Sequence, residues 1–298
     1  MEATRYVILA ERGVLAVGGP DARSFVQGLI SNDINKVAPG RAIYATLLTP
    51  QGKFLHDFFV AALDDALVFD CEGARLQDLE RRLVLYRLRA KVTIEAKGGA
   101  YLVAALTGEG ALAALGLEAA EGCAAPFAGG VVFTDPRLSA VGARAIVPRE
   151  GGAAALEKAG FTPAPADDYD RLRLAHALPD GSRDMLVDKG FLLENGIDRL
   201  NGVDFDKGCY VGQELVARTK HRASIRKQIY RVDVDGPLPE PGTPVRLGTR
   251  DVGVMRSGRD RVGLALLRVE LVEQAAASGE RLIAGAARLT PVKPAWAA

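Results

Sequence analysis

One stretch of this 298-residue chain has residue types and a spacing that could do chemistry: Lys207-Gly208-Cys209-Tyr210-Val211-Gly212-Gln213-Glu214. A thiolate is a nucleophile, a metal ligand and a redox centre, and cations or a helix N-terminus nearby favour it over the thiol. Both are expected around Cys209. The run Gln213-Glu214-Leu215-Val216-Ala217-Arg218 predicts a helix beginning near Gly212, whose unpaired N–H groups would point back toward the sulfur. Between Lys207 and Lys227 stand Lys207, Arg218, Lys220, Arg222, Arg226 and Lys227 against Glu214 alone, a local charge of +5 in a chain of net charge +1. Gly208 and Gly212 let the backbone turn tightly or come close to a ligand. The plainer readings are equally concrete. A lone Cys is often a small buried hydrophobe, Glu214 and Arg218 at i, i+4 can be an ordinary helix pair, and a basic run is often a solvated face. His221 can be a surface residue.

The elements that must position this segment are legible from pattern. Short strands are expected within Tyr6–Val17 around a Glu11-Arg12-Gly13 turn, then a helix opened by Pro20-Asp21. Strands follow at 42–48, 54–61 and 66–71, and the clearest helix spans 74–89, with Leu76, Leu79, Leu83 and Tyr86 on one side. Strands return at 92–96 and 101–106. Residues 107–165, rich in Ala and Gly, predict helices near 111–117 and 153–159 and strands near Val131 and Ala145. A further helix runs from Asp167 or Asp168 to about Ala177. Residues 178–208 read as a long turn-rich loop, which in a compact protein is usually functional. From Lys227 onward short strands alternate with Gly and Pro turns, the pattern of a small β-barrel or sandwich.

Composition excludes several classes. Apolar residues make up 48% and charged residues 25%, enough to build a core. Near-neutral charge argues against a nucleic-acid or membrane-surface binder, and no apolar run is long enough to span a membrane. Cys71, Cys123 and Cys209 form no CxxC pair, so neither a disulfide framework nor a metal site is expected, and an iron–sulfur cluster needs three or four such ligands. Without a signal-peptide pattern at the start, the chain is expected to be cytoplasmic.

The segment from Lys207 to Glu214 resembles the signature of the YgfZ family of folate-binding, iron–sulfur-related proteins. The likeness continues through Leu215-Val216-Ala217-Arg218-Thr219-Lys220-His221-Arg222 to Ile225-Arg226-Lys227, where it is especially similar to the mitochondrial iron–sulfur assembly factors of that family. Upstream, Phe25–Asp33, Leu48–Asp57 and Tyr86–Val92 resemble the family's first helix and turn, its glycine-turn hairpin and the end of its long helix. The family is in turn similar to the T-protein of the glycine cleavage system, a tetrahydrofolate-dependent aminomethyltransferase.

The resemblance implies an α+β fold of three small domains in a ring around a folate channel: two ferredoxin-like α+β domains interleaved within 1–225, and a C-terminal β-barrel over 226–298. It implies a GcvT-like, tetrahydrofolate-binding accessory protein in the maturation or repair of iron–sulfur proteins, with Cys209 as the functional thiol. Its partners would be folate and iron–sulfur client or assembly proteins, and a monomer is expected. The alternative is a folate-dependent aminomethyltransferase acting on a small amine. The catalytic candidates are Cys209 and Asp57, which matches an Asp acting in the T-protein's folate reaction and could otherwise be a strand-edge Asp facing solvent. The cofactor candidates are Lys207, Gly208, Tyr210, Gly212, Gln213, Glu214, Arg218 and Arg222 of the signature, together with Glu194. Lys207, Arg218 and Arg222 would hold the folate glutamate tail. Glu194 is either a pterin contact or a carboxylate that stabilises its loop. Arg144 stands where the T-protein carries an acidic pterin ligand, a departure that weighs against T-protein chemistry.

Overall fold

A computed structural model of the chain describes residues 4–222 and 225–297, the side chain of Arg222 lying outside the described set. The chain forms two compact units: Met1–Leu48, Leu55–Tyr169 and Leu200–Val211 make the first, and Thr49–Phe54, Asp170–Arg199 and Gly212–Ala298 the second.

The first unit carries strands β1 (Arg5–Ile8), β2 (Arg12–Gly18), β3 (Ile43–Leu48), β4 (Phe54–Leu63), β5 (Ala66–Glu72), β6 (Thr93–Ala96), β7 (Tyr101–Thr107), β8 (Ala124–Phe127), β9 (Gly130–Thr134), β10 (Ala143–Pro148) and β11 (Thr162–Pro163). Its helices are α1 (Ala22–Gln27), α2 (Leu76–Arg87), α3 (Ala111–Ala114) and α4 (Gly152–Lys158). The strands form two sheets, ordered β3-β4-β5-β2-β6 and β11-β1-β7-β10-β9-β8. The pair at the start of the chain is therefore not a hairpin. β1 runs antiparallel to β7 in one sheet, β2 lies between β5 and β6 in the other, and the turn falls at Leu9–Arg12, where Arg12 N–H donates to Leu9 O.

Strand β4 is buried along nearly its whole length, so its two polar residues need partners. Side chains alternate between faces. Phe58, Phe69 and Cys71 share one face, with His56 reaching α2; Asp57, Phe59 and Asp70 share the other, where Phe59 meets Phe133 of the second sheet. His56 Nε2 lies 3.0 Å from Asp78 Oδ2. Burial, aided by the Arg75 guanidinium, lowers the His56 pKa from 6.5 to about 4. The unfolded chain thus binds this proton at a higher pH than the folded one. Stability should be full above pH 6.5 and fall as pH drops from 6.5 toward 4. The loss is up to about 3 kcal/mol. Urea unfolding across that window checks it; His56→Asn should flatten the slope, and an unchanged slope would refute the assignment.

The second unit is built on α5 (Ala166–Ala175, from Asp170 on), α6 (Gly181–Asp184), α7 (Gln213–Arg222) and a closed barrel. The barrel strands are β12 (Lys227–Asp235), β13 (Pro244–Leu247), β14 (Arg250–Arg259), β15 (Val262–Arg268), β16 (Leu282–Ala284) and β17 (Ala287–Val292), closed in the order β12-β15-β14-β13-β16-β17. Helix α8 (Val269–Ser278) interrupts the strands, an element the turn pattern does not predict, and it sets Val272 and Ala275 into the barrel core.

Segment 170–199 joins the barrel through buried charge. Arg173 donates to Asp170 Oδ1 at 2.6 Å, Asp184 Oδ2 at 3.0 Å and Ser257 Oγ at 2.9 Å. Asp184 Oδ1 in turn accepts from Ser257 N–H at 2.9 Å. The expected loop over 178–208 is thereby pinned, and it contains α6 and a short 3-10 turn at Leu193–Asn195.

Candidate functional site

The Cys209 segment is held in the first unit by main-chain carbonyls. Helix α1 ends at Gln27, and the turn that follows exposes a row of carbonyl oxygens. Lys207 Nζ donates to three of them: Gln27 O at 2.8 Å, Ile30 O at 2.6 Å and Asn32 O at 2.7 Å. An ammonium has three donors, so all are occupied. Burial lowers the pKa of Lys207 from 10.5 to about 8, opposed by Asp33 and Asp204. Lys207 therefore clamps the loop and offers no donor to a glutamate tail, which corrects the expectation of an open cation there.

The same turn is tied to the approaching chain. Ser31 Oγ donates to Gly202 O at 2.6 Å, Asn32 Nδ2 to Tyr44 O and Asn201 O at 2.8 Å each, and Asp204 N–H to Ser31 O at 2.9 Å. Asp204 Oδ1 accepts from the N–H groups of Asp206 and Lys207. Beyond the cysteine, Val211 N–H donates to Gly28 O. Tyr210 is buried beneath the Lys207 ammonium, which lies 5.0 Å from its ring centroid, and burial pushes its phenol pKa up to about 12.

Between these anchors Gly208 and Cys209 are exposed. The thiol is not a core hydrophobe, so the plain reading of a buried Cys fails. Gly208 has open space where a Cβ would stand and is not demanded by packing. Gly212 is required by its backbone instead: its φ is +85°, which favours glycine. The other thiols differ from Cys209. Cys71 is buried, with a pKa pushed up to about 12 by burial, and Cys123 is partly buried.

The remaining signature residues lie in the second unit. Gln213 and Glu214 open α7, and Arg218 donates to Glu214 in an exposed i, i+4 pair. Such a pair stabilises little. Lys220 bonds Asp198 at 2.9 Å. The side chain of Arg222 lies outside the described residues.

Asp57 is buried, which excludes the solvent-facing alternative, and accepts from Tyr44 OH at 2.9 Å. It belongs to a buried network in the first unit. Asp70 Oδ1 accepts from Arg12 Nε at 2.6 Å, and Asp70 Oδ2 from Arg144 Nε at 2.8 Å and Nη2 at 2.6 Å. Arg144 and Arg137 both donate to Tyr169 OH, at 3.0 Å and 2.9 Å, and Arg137 also holds Asp135. Phe59 floors the cluster, with the Arg144 and Arg137 guanidinium carbons 4.0 Å and 4.8 Å from its centroid. Arg144 thus meets a carboxylate of its own chain at the position where an acidic pterin ligand is expected. Reasoning from sequence misses Asp70, Arg12, Arg137 and Tyr169; the available signal was a charge flanked by strand apolars, as in Phe69-Asp70-Cys71 and Ala143-Arg144-Ala145.

Glu194, in the second unit, faces a cleft with Lys227 and Arg256. It is half-buried, burial raises its pKa against the pull of Lys227, Lys53 and Arg256, and no donor among the described residues bonds its carboxylate.

Residues 10–119 match the GCVT N-terminal domain and residues 226–298 the CAF17 C-terminal beta-barrel domain. Human iron-sulfur cluster assembly factor IBA57, mitochondrial, is 34% identical over 281 residues, covering 88% of this chain and 77% of the relative. The chain belongs to the IBA57 family. The mouse IBA57 is 32% identical, covering 96% of this chain and 83% of its own length. Among solved structures, glycine cleavage system aminomethyltransferase T from Bartonella henselae superposes with a TM-score of 0.79 at 15% identity, covering 99% of this chain and 86% of that one. At that identity the likeness establishes the GcvT-like α+β fold with its closed six-stranded barrel. IBA57 membership refines the YgfZ resemblance to its assembly-factor relatives. It also corrects the cytoplasmic expectation, since the IBA57 relatives are mitochondrial by name. No helix among the described residues is long and apolar enough to cross a membrane.

Proposed function

We infer that this chain is an accessory protein in the maturation or repair of iron–sulfur proteins, with the Cys209 thiol as its working group. One observation carries the reading: in an IBA57-family chain, Cys209 is exposed between two buried anchors, Lys207 and Tyr210. An anchored, accessible thiol can transfer sulfur, ligate iron or respond to oxidation, and the client proteins would meet it at this surface. If this chain alone supports maturation, cells lacking their own family member should regain iron–sulfur enzyme activity when supplied with it. Absence of rescue by folded protein at normal abundance would overturn the reading.

The proposal includes a reduced folate as ligand, a carrier of one-carbon units when bound. A pterin presents N–H donors, and Glu194 is a half-buried carboxylate with no donor bonded to it among the described residues. Asp57 is less suited, because it already accepts the Tyr44 hydroxyl and is buried. The same burial counts against the aminomethyltransferase alternative, which needs that carboxylate within reach of substrate. Tetrahydrofolate at about a hundredfold excess over its Kd should raise the melting temperature by about 5 °C, and Glu194→Gln should abolish the rise. An unmoved melting temperature in the native chain removes folate from the account.

A further inference from the structure

The second unit contains a cleft of about 510 Å³ with an electrostatic imbalance that its own side chains do not resolve. Its walls include Lys189, Phe191, Glu194, Lys227, Arg256 and Arg268. Arg256, on β14, is 7% exposed, and its Nε has no hydrogen-bond partner among the described residues. A buried donor without an acceptor is costly, and a buried unpaired charge more so. Lys227 and Arg268 stand directly opposite each other on β12 and β15. Like charges in that relation repel, and among the described residues neither makes an ion pair. Three carboxylates lie near them: Asp251 pairs with Arg246, Asp184 with Arg173, and Glu194 bonds none of the three cations among the described residues.

We propose that this cleft binds a small molecule bearing an oxyanion, phosphate or carboxylate, seated on Arg256 with Lys227 and Arg268 around it. The guanidinium fork matches either group and can bond both its oxygens. The cleft volume suits a metabolite-sized ligand. Apolar walls from Leu186, Val254 and Leu266 would take the uncharged part of such a molecule. Burial lowers the pKa of Arg256 against the attraction of Asp184 and Glu194, in keeping with a site short of negative charge. The cleft is the one that Glu194 faces, but the inference rests on Arg256 and not on that carboxylate, so it stands if tetrahydrofolate leaves the melting temperature unmoved.

The test uses the full chain and two probes without a pterin, pyrophosphate and citrate, titrated calorimetrically at matched ionic strength. Binding of at least one is expected, weakened about tenfold or more by Arg256→Met and several-fold by Lys227→Met. Pyrophosphate alone identifies a phosphate-bearing ligand, citrate alone a polycarboxylate, and both a site that reads only the shared charge. Without anion, Arg256→Met should melt at or above the native temperature, because it removes an unpaired buried charge. A structural arginine would show the reverse. Failure of both probes to bind the native chain below about 10 mM, or unchanged binding by Arg256→Met, overturns the proposal.

Discussion

Asp70→Ala should lower the urea midpoint of the protein by the equivalent of about 3–5 kcal/mol. Asp70 is fully buried, and its two carboxylate oxygens accept from Arg12 at 2.6 Å and from Arg144 at 2.6 and 2.8 Å. Removing it takes away the carboxylate that both the Arg12 and the Arg144 guanidinium groups bond beside Phe59. The magnitude follows from the cost of a broken buried pair, not from the strength of the pair itself. The double variant Asp70→Ala, Arg144→Met should therefore lose less than the sum of its parts, since one stranded charge goes with the carboxylate. Asp260→Ala, which removes an exposed partner of Arg171, should cost under about 0.5 kcal/mol. If Asp70→Ala behaves like Asp260→Ala, the network does not hold the two sheets as described.

That network also marks where sequence reasoning stops. Local order is readable because it repeats over a few residues. The apolar spacing of Leu79 and Leu83 announces α2, and the turn punctuation after Lys227 announces the barrel. Helix α8 escapes because Gln274-Ala275-Ala276-Ala277 carries little apolar contrast on either face. The separation of β1 and β2 into different sheets escapes because each is decided by a distant partner, Thr107 for Arg5 and Glu72 for Arg12. The site divides the same way. The signature around Cys209 is local and was visible, as was the glycine demanded at 212. The role of Lys207 was not, because its acceptors lie at least 175 positions away and are carbonyls, which no residue type advertises. Arg144 and Asp70 are 74 positions apart. Arg256 is invisible for a further reason: what distinguishes it is an Nε without a partner among the described residues.

Cys209→Ser should leave stability within about 0.5 kcal/mol of the native chain, as expected for an exposed position. It should nonetheless abolish the biological activity, because a hydroxyl neither ligates iron nor carries sulfur as a cysteine sulfur does. The pairing of the two outcomes matters. A cysteine kept for packing would show loss of stability first, as Cys71 should when its buried side chain is enlarged or made polar. Alkylation gives the matching chemical contrast. Native protein should react at Cys209 while Cys71, buried and with its pKa pushed up to about 12, reacts only on unfolding.

The central claim rests on that sulfur, and one measurement reaches it most directly: iron–sulfur enzyme activity in cells whose only family member is this chain with Cys209→Ser, present at the same level as the native protein. Activity is expected to fall to that of cells with no family member at all. Activity equal to that of cells carrying the native chain would contradict the account.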